Sequence, residues 1–154
     1  MILVNTPHNP TGTGQARGTR AGRAASAERD GAVVISDEIH APLVQPGIRY
    51  TPFLSASDTA ARIGYACVSA SKAFNLAGLK CALVVTAHDD TTRVVSNLPL
   101  EVQWRTSLFG ALAAVEAFSP ESEPWLDALL ARLDINRRLL GELLEEHVPG
   151  ARYR

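Results

Sequence analysis

Ser69-Ala70-Ser71-Lys72-Ala73-Phe74-Asn75-Leu76-Ala77-Gly78-Leu79-Lys80 lies between two apolar runs, Tyr65-Ala66-Cys67-Val68 before it and Cys81-Ala82-Leu83-Val84-Val85 after it. The apolar runs have the length of buried strands, and the polar stretch between them reads as a loop. Lys72 therefore falls just past the carboxyl end of a strand. In open α/β sheets, ligands gather in the crevice outside those ends. A lysine there, among hydroxyls and small residues, serves as a nucleophilic amine if its charge is poorly solvated. Without such surroundings it is an ordinary surface lysine.

Two earlier segments repeat the strand-then-loop arrangement. Ile2-Leu3-Val4 runs into Asn5-Thr6-Pro7-His8-Asn9-Pro10-Thr11-Gly12, where prolines and a glycine fix a rigid turn. Ala32-Val33-Val34-Ile35-Ser36 is continuous and β-branched, as a central parallel strand requires, and ends in Asp37-Glu38-Ile39-His40. A parallel sheet is covered on both faces, so a strand opening at residue 1 reads as a cut rather than a beginning.

The segment between these strands, 13–30, holds no Leu, Ile, Val, Met or aromatic residue. A crossover helix there has only alanines for an apolar stripe, and Gly14, Gly18 and Gly22 weaken it. The reading is a poor helix over 21–29, with disorder before it. Farther on, Ser57 or Asp58 caps a helical turn through Arg62, strands follow at 64–69 and 81–86, and His88-Asp89-Asp90 opens a helix to about Asn97. Leu108, Leu112, Val115 and Phe118 recur at helical spacing and predict a packed helix over 104–118. Ser122-Glu123-Pro124 starts the longest helix. Its leucines, from Leu126 to Leu144, recur at three- and four-residue steps as a core stripe does, over about 35 Å at ~1.5 Å per residue, until Pro149-Gly150 ends it.

Composition narrows the class. A chain of 154 residues, 46% hydrophobic and 20% charged, is an ordinary soluble domain. Its net charge of −1 offers nothing to nucleic acid, and no apolar run approaches the ~18 residues of a membrane span. The two cysteines form no CxxC pair, so neither a zinc site nor a disulfide framework is supported, and a reducing, cytoplasmic setting fits. Gly12-Thr13-Gly14 mimics a dinucleotide loop, but the spacing is off and no apolar helix follows. Ser69-Ala70-Ser71-Lys72 fits an SxxK nucleophile, but no KTG follows.

If the three strands are parallel, Asn9, then Asp37 and His40, then Ser69, Ser71 and Lys72 converge on one crevice. An amine, a carboxylate, an amide or imidazole and two hydroxyls together suit pyridoxal 5'-phosphate (PLP). The amine bonds the aldehyde, and the carboxylate keeps the pyridine nitrogen protonated so that the ring acts as an electron sink. The amide or imidazole donates to the ring's phenolic oxygen, and the hydroxyls with a nearby cation take the phosphate.

At these residues the chain resembles the fold-type I PLP enzymes of the class I/II aminotransferase family. Asn9-Pro10-Thr11-Gly12, Ser36-Asp37-Glu38-Ile39-His40 and Ser69 to Leu79 carry the resemblance, in the family's order and spacing. It extends over most of the chain except about 13–27, whose Gly/Ala/Arg bias is what a shifted reading frame would leave. The resemblance implies that Lys72 bonds the cofactor, Asp37 faces the pyridine nitrogen, Asn9 faces the phenolic oxygen with His40 near it, and Ser69 and Ser71 lie by the phosphate. Lys80 stands where the family often has arginine and could meet phosphate only as a point charge.

Pro7-His8-Asn9-Pro10 and Asp37 to Leu43 are most similar to the cystathionine β-lyase-like C–S lyases, which implies α,β-elimination from a sulfur amino acid. An aminotransferase would use the same residues, and an inert remnant would keep the motifs without turnover. The fold implied is α/β: a partial PLP-transferase large domain over 1–120, its sheet mostly parallel with flanking helices, and a long connecting helix over 121–154 toward a missing small domain. The resemblance also implies a homodimer in the full-length form, a small amino-acid substrate, no metal, and no activity from these residues alone.

Overall fold

The computed structural model describes residues 1–148 and 150–153. Its sheet has four strands in spatial order: β1 (Ile2–Asn5), β2 (Val34–Asp37), β3 (Gly64–Val68) and β4 (Leu83–Val85). The first three are parallel, with Asn5 beside Asp37 and Asp37 beside Cys67. β4 runs antiparallel to β3, Leu83 opposite Val68. The reversal follows from the connection. Residues 69–82 hold turns and a single 3-10 turn (Ala77–Leu79), with no crossover helix to carry the chain back to the opposite edge. The sheet is therefore mostly parallel, as the α/β reading anticipates.

Side chains alternate between the two faces. Val4, Thr6, Val34, Ser36, Glu38, Gly64 and Ala66 are buried on one face. α1 (Arg17–Arg29), α2 (Asp58–Ile63) and a 3-10 turn (Phe53–Ser55) cover it, building a core from Val4, Ala24, Ala27, Val34, Phe53, Ala56 and Ala60. Gly64 permits this closeness, since a Cβ there would lie 2.4 Å from the Ala60 carbonyl oxygen. The other face carries Leu3, Asn5, Ile35, Asp37, Tyr65 and Cys67, and Leu3 is 69% exposed.

Four expectations need correction. α1 begins at Arg17 and not at 21, so helix stands where disorder was expected. Ala24 and Ala27 are fully buried, and this tertiary packing overrides the weak propensity of the glycines. The 104–118 helix is instead two, α4 (Leu100–Trp104) and α5 (Leu108–Ala117), with Ser107 capping the second. Its apolar stripe is not packed: Leu108, Leu112 and Val115 are exposed, the last by 75%, while Gly110, Ala114 and Ala117 are buried. Small residues admit a closer approach than leucines, and they decide which side of α5 meets the Leu79–Cys81 segment.

The leucines of the last helix are likewise not core. α6 (Glu123–His147) has no buried residue among those described. The predicted stop at Pro149 lies outside the described residues; Val148 caps the helix. α2, with Ser57 accepting from the Ala60 amide, and α3 (Asp89–Ser96), capped by His88, stand where the sequence puts them. Among the described residues no helix is long and apolar enough to cross a membrane.

Candidate active site

The carboxyl ends of β1, β2 and β3 lie at one edge because the three strands are parallel and in register. The ladder continues into the loops: the Thr6 amide donates to the Asp37 carbonyl at 3.0 Å, and the Glu38 amide donates to the Cys67 carbonyl at 2.9 Å. β4 runs the other way, so its start, with Lys80 and Cys81 just ahead of it, returns to the same edge.

Asp37 is half-buried on the open face, and its Oδ1 accepts from the Ile39 amide at 3.2 Å. Burial pushes the Cys67 thiol's pKa up, and the Asp37 and Glu38 carboxylates add to the rise. Asn5, on Asp37's other side in the ladder, has a buried Oδ1 with no hydrogen-bond partner. Glu38 points to the covered face. There its Oε1 accepts from Ser36 Oγ and from the Phe53 amide, each at 2.8 Å. Its carboxylate is thus on the opposite face from that of Asp37.

Ser69 joins the loops. Its Oγ donates to the Cys81 carbonyl at 2.7 Å, accepts from the Ser71 amide at 3.1 Å and stands 2.8 Å from Ser71 Oγ. Lys72 follows in a turn closed by the Phe74 amide on the Ala70 carbonyl and the Leu76 amide on the Ser71 carbonyl, both 3.0 Å. The Lys72 side chain is exposed. Lys80, also exposed, has a left-handed backbone (φ +56°).

Asn9 and His40 stand together elsewhere, in a cleft of about 860 Å³ lined also by His8, Arg20, Arg49 and Tyr50. Asp37, Ser69, Ser71, Lys72 and Lys80 do not line that cleft. The structure therefore divides the candidates into two groups: the carboxylate, hydroxyls and lysines along the strand edge, and the amide with the imidazole in the adjoining cleft.

Two residues of the site, Asn5 and Arg20, were not predicted from the sequence. Asn5 was discoverable from the two-residue alternation that puts it on Asp37's face. Arg20, only 1% exposed, gave no such signal. Its Nη2 donates to Thr6 Oγ1 at 3.2 Å and its Cζ sits 4.6 Å from the centre of the Tyr50 ring, while Nε and Nη1 have no partner. The Tyr50 hydroxyl donates to the Thr6 carbonyl at 3.2 Å; burial, with Glu38 nearby, raises its pKa.

Among the described residues no three His, Cys, Asp or Glu side chains are grouped to hold a metal. The donor set does suit PLP. Two hydroxyls 2.8 Å apart with a lysine beyond them suit a phosphate, and a half-buried carboxylate suits a protonated ring nitrogen. The unpartnered Asn5 Oδ1 beside that carboxylate leaves an acceptor for a further donor.

Residues 1–153 match the family described as aminotransferase class I and II. A Mycobacterium tuberculosis protein assigned provisionally as a cystathionine beta-lyase is 45% identical over 152 residues, which cover 99% of this chain and 36% of that protein. The cystathionine beta-lyase PatB of Bacillus subtilis is 32% identical over 97% of this chain and 38% of its own length. A solved structure from Corynebacterium diphtheriae, assigned provisionally as a PLP-dependent beta-cystathionase, superposes with a TM-score of 0.89 at 33% identity, over 97% of this chain and 39% of that one. The chain thus spans less than two fifths of the length of each.

Proposed function

The chain belongs to the aminotransferase class I and II family, and from that premise we propose that it supplies the cofactor-bonding part of a PLP-dependent C–S β-lyase acting on a small sulfur amino acid. One observation carries the reading. The parallel ladder ends with Asp37 beside Cys67, and the turn bearing Lys72 follows directly from that strand. A carboxylate and an amine at adjoining strand ends are the two groups the chemistry cannot do without.

PLP, when bound, supplies an aldehyde and a ring that stores the charge left at the substrate's Cα. Lys72 would be the amine that bonds the aldehyde and, when free of it, would take and hold the proton from Cα. Asp37 keeps the ring nitrogen protonated. Asn9 and His40 would serve the ring oxygen. Ser69 and Ser71 hold the phosphate, with Lys80 as a point charge in place of a guanidinium fork. The overall reaction would release a thiol from Cβ and, with water, ammonia and an α-keto acid.

We assign residues 1–120 to the cofactor-binding domain and 121–154 to a connecting helix. A homodimer in the full-length form, a cytoplasmic setting and no nucleic-acid partner complete the proposal. The sheet face carrying Asp37 is open to water at Leu3, so no turnover is expected from the 154 residues by themselves. The test supplies PLP and L-cystathionine to the chain alone and to the same residues continued to the length of the relatives. Thiol and α-keto acid released in equal amounts by the longer polypeptide support the lyase. Transfer of the amino group to an added keto acid, without thiol release, supports an aminotransferase instead.

A further inference from the structure

The turn that carries Lys72 is braced on one side by α5, a helix that supplies no charged or hydroxyl side chain to the edge, and on the other by aromatic residues beyond its end. On one side, Ser69 Oγ is tied to the Cys81 carbonyl at 2.7 Å. The segment that carries Cys81 lies against the first turn of α5. The Ser107 amide meets the Lys80 carbonyl at 3.5 Å, and Ser107 Oγ accepts from the Gly110 amide at 3.2 Å. Gly110 is buried against the same segment: a Cβ there would lie 2.3 Å from the Leu79 carbonyl oxygen and 3.1 Å from Cys81 Cβ. On the other side, Phe74 meets Phe118, just past the end of α5, edge to face at 6.3 Å, and stacks on Trp125 at 5.4 Å.

We propose that Gly110 is a positioning residue for the Lys72 turn, its missing side chain letting α5 press the Leu79–Cys81 backbone to where Ser69 can hold the turn. The obstacle to any larger residue is backbone, which cannot swing aside as a flexible side chain can. Displacing Leu79 moves the Cys81 carbonyl away from Ser69 Oγ, and with it the Ser69–Ser71 pair and Lys80. This assignment rests on the reading of Lys72 and the two serines as the cofactor's partners.

The test compares wild-type chain with Gly110→Ala, with Ser69→Ala, and with Gly22→Ala, an exposed helical glycine with open space around its Cβ position. Amide hydrogen exchange is read at 70–76 and at 34–37. Gly110→Ala and Ser69→Ala should each speed exchange at 70–76 by at least about fivefold and leave 34–37 unchanged, while Gly22→Ala does neither. Gly110→Ala should also weaken PLP uptake by roughly tenfold, but uptake of pyridoxal, which lacks the phosphate, by less than about twofold. Unchanged exchange at 70–76 in Gly110→Ala would overturn the proposal. If Gly110→Ala loosens the whole chain, Ser69→Ala decides, and unchanged exchange at 70–76 there overturns it too. Wild-type chain that takes up no PLP would sink the cofactor reading, while the exchange pattern would still report on the brace.

Discussion

Asp37 and Cys67 are ladder partners across β2 and β3, and the Asp37 carboxylate adds to the burial that raises the thiol's pKa. A group whose pKa is raised in the folded chain holds its proton while the unfolded chain has begun to lose it. Stability from this source is complete below the ordinary thiol pKa and declines as the pH climbs through the folded value. In a Cys81→Ser background, ultraviolet absorbance of the thiolate follows Cys67 alone. Asp37→Asn should lower that titration, by less than burial raises it. A titration that does not move would mean that the carboxylate lies elsewhere.

Glu38 is 3% exposed and accepts from two donors, Ser36 Oγ and the Phe53 amide. Glu38→Ala leaves both donors buried and unpaired, so it should cost about 2–4 kcal/mol in urea unfolding. Glu38→Gln keeps an oxygen acceptor and should cost less. An alanine variant within ~0.5 kcal/mol of wild type would contradict the buried network.

Arg20 presents the opposite case. Its guanidinium is buried with one hydrogen bond, while Nε and Nη1 have none. Arg20→Met keeps the length and removes the desolvated charge, so it should stabilise the chain by about 1–2 kcal/mol, read as a higher urea midpoint at unchanged slope. A fall in the midpoint would show that the Tyr50 ring and the Thr6 hydroxyl outweigh the cost of burying the charge.

The parts of the fold legible in the sequence were those set by local pattern. The β-branched run at 33–35 and the caps at Ser57 and His88 each report a preference that no distant contact overrides. What escaped was set by partners far along the chain. α1 forms because Ala24 and Ala27 meet Val4, Val34 and Phe53. α5 turns its leucines outward because Gly110 fits against Leu79, which the spacing of the leucines does not report. The candidate residues were likewise legible as types following strands, but not as two groups. Asn9 and His40 enter a cleft formed by 40–50 folding over 7–16, and loop folding of that kind carries no periodic signal.

The outward stripe on α5 has a direct consequence. Leu112→Gln and Val115→Gln change residues that are 60% and 75% exposed, so each should alter the unfolding free energy by less than about 0.5 kcal/mol. A loss near 2 kcal/mol in either would restore the packed stripe that the leucine spacing suggests.

The chain has two lysines, Lys72 and Lys80, which makes the central claim open to one experiment. PLP is added, the carbon–nitrogen bond is fixed by borohydride reduction, and the labelled peptide is found by mass mapping. Lys72 should carry the label, at near-complete occupancy, and Lys72→Ala should carry none. Label on Lys80 or on the Met1 amine, or spread evenly over all three, would contradict the assignment of Lys72 as the cofactor's amine.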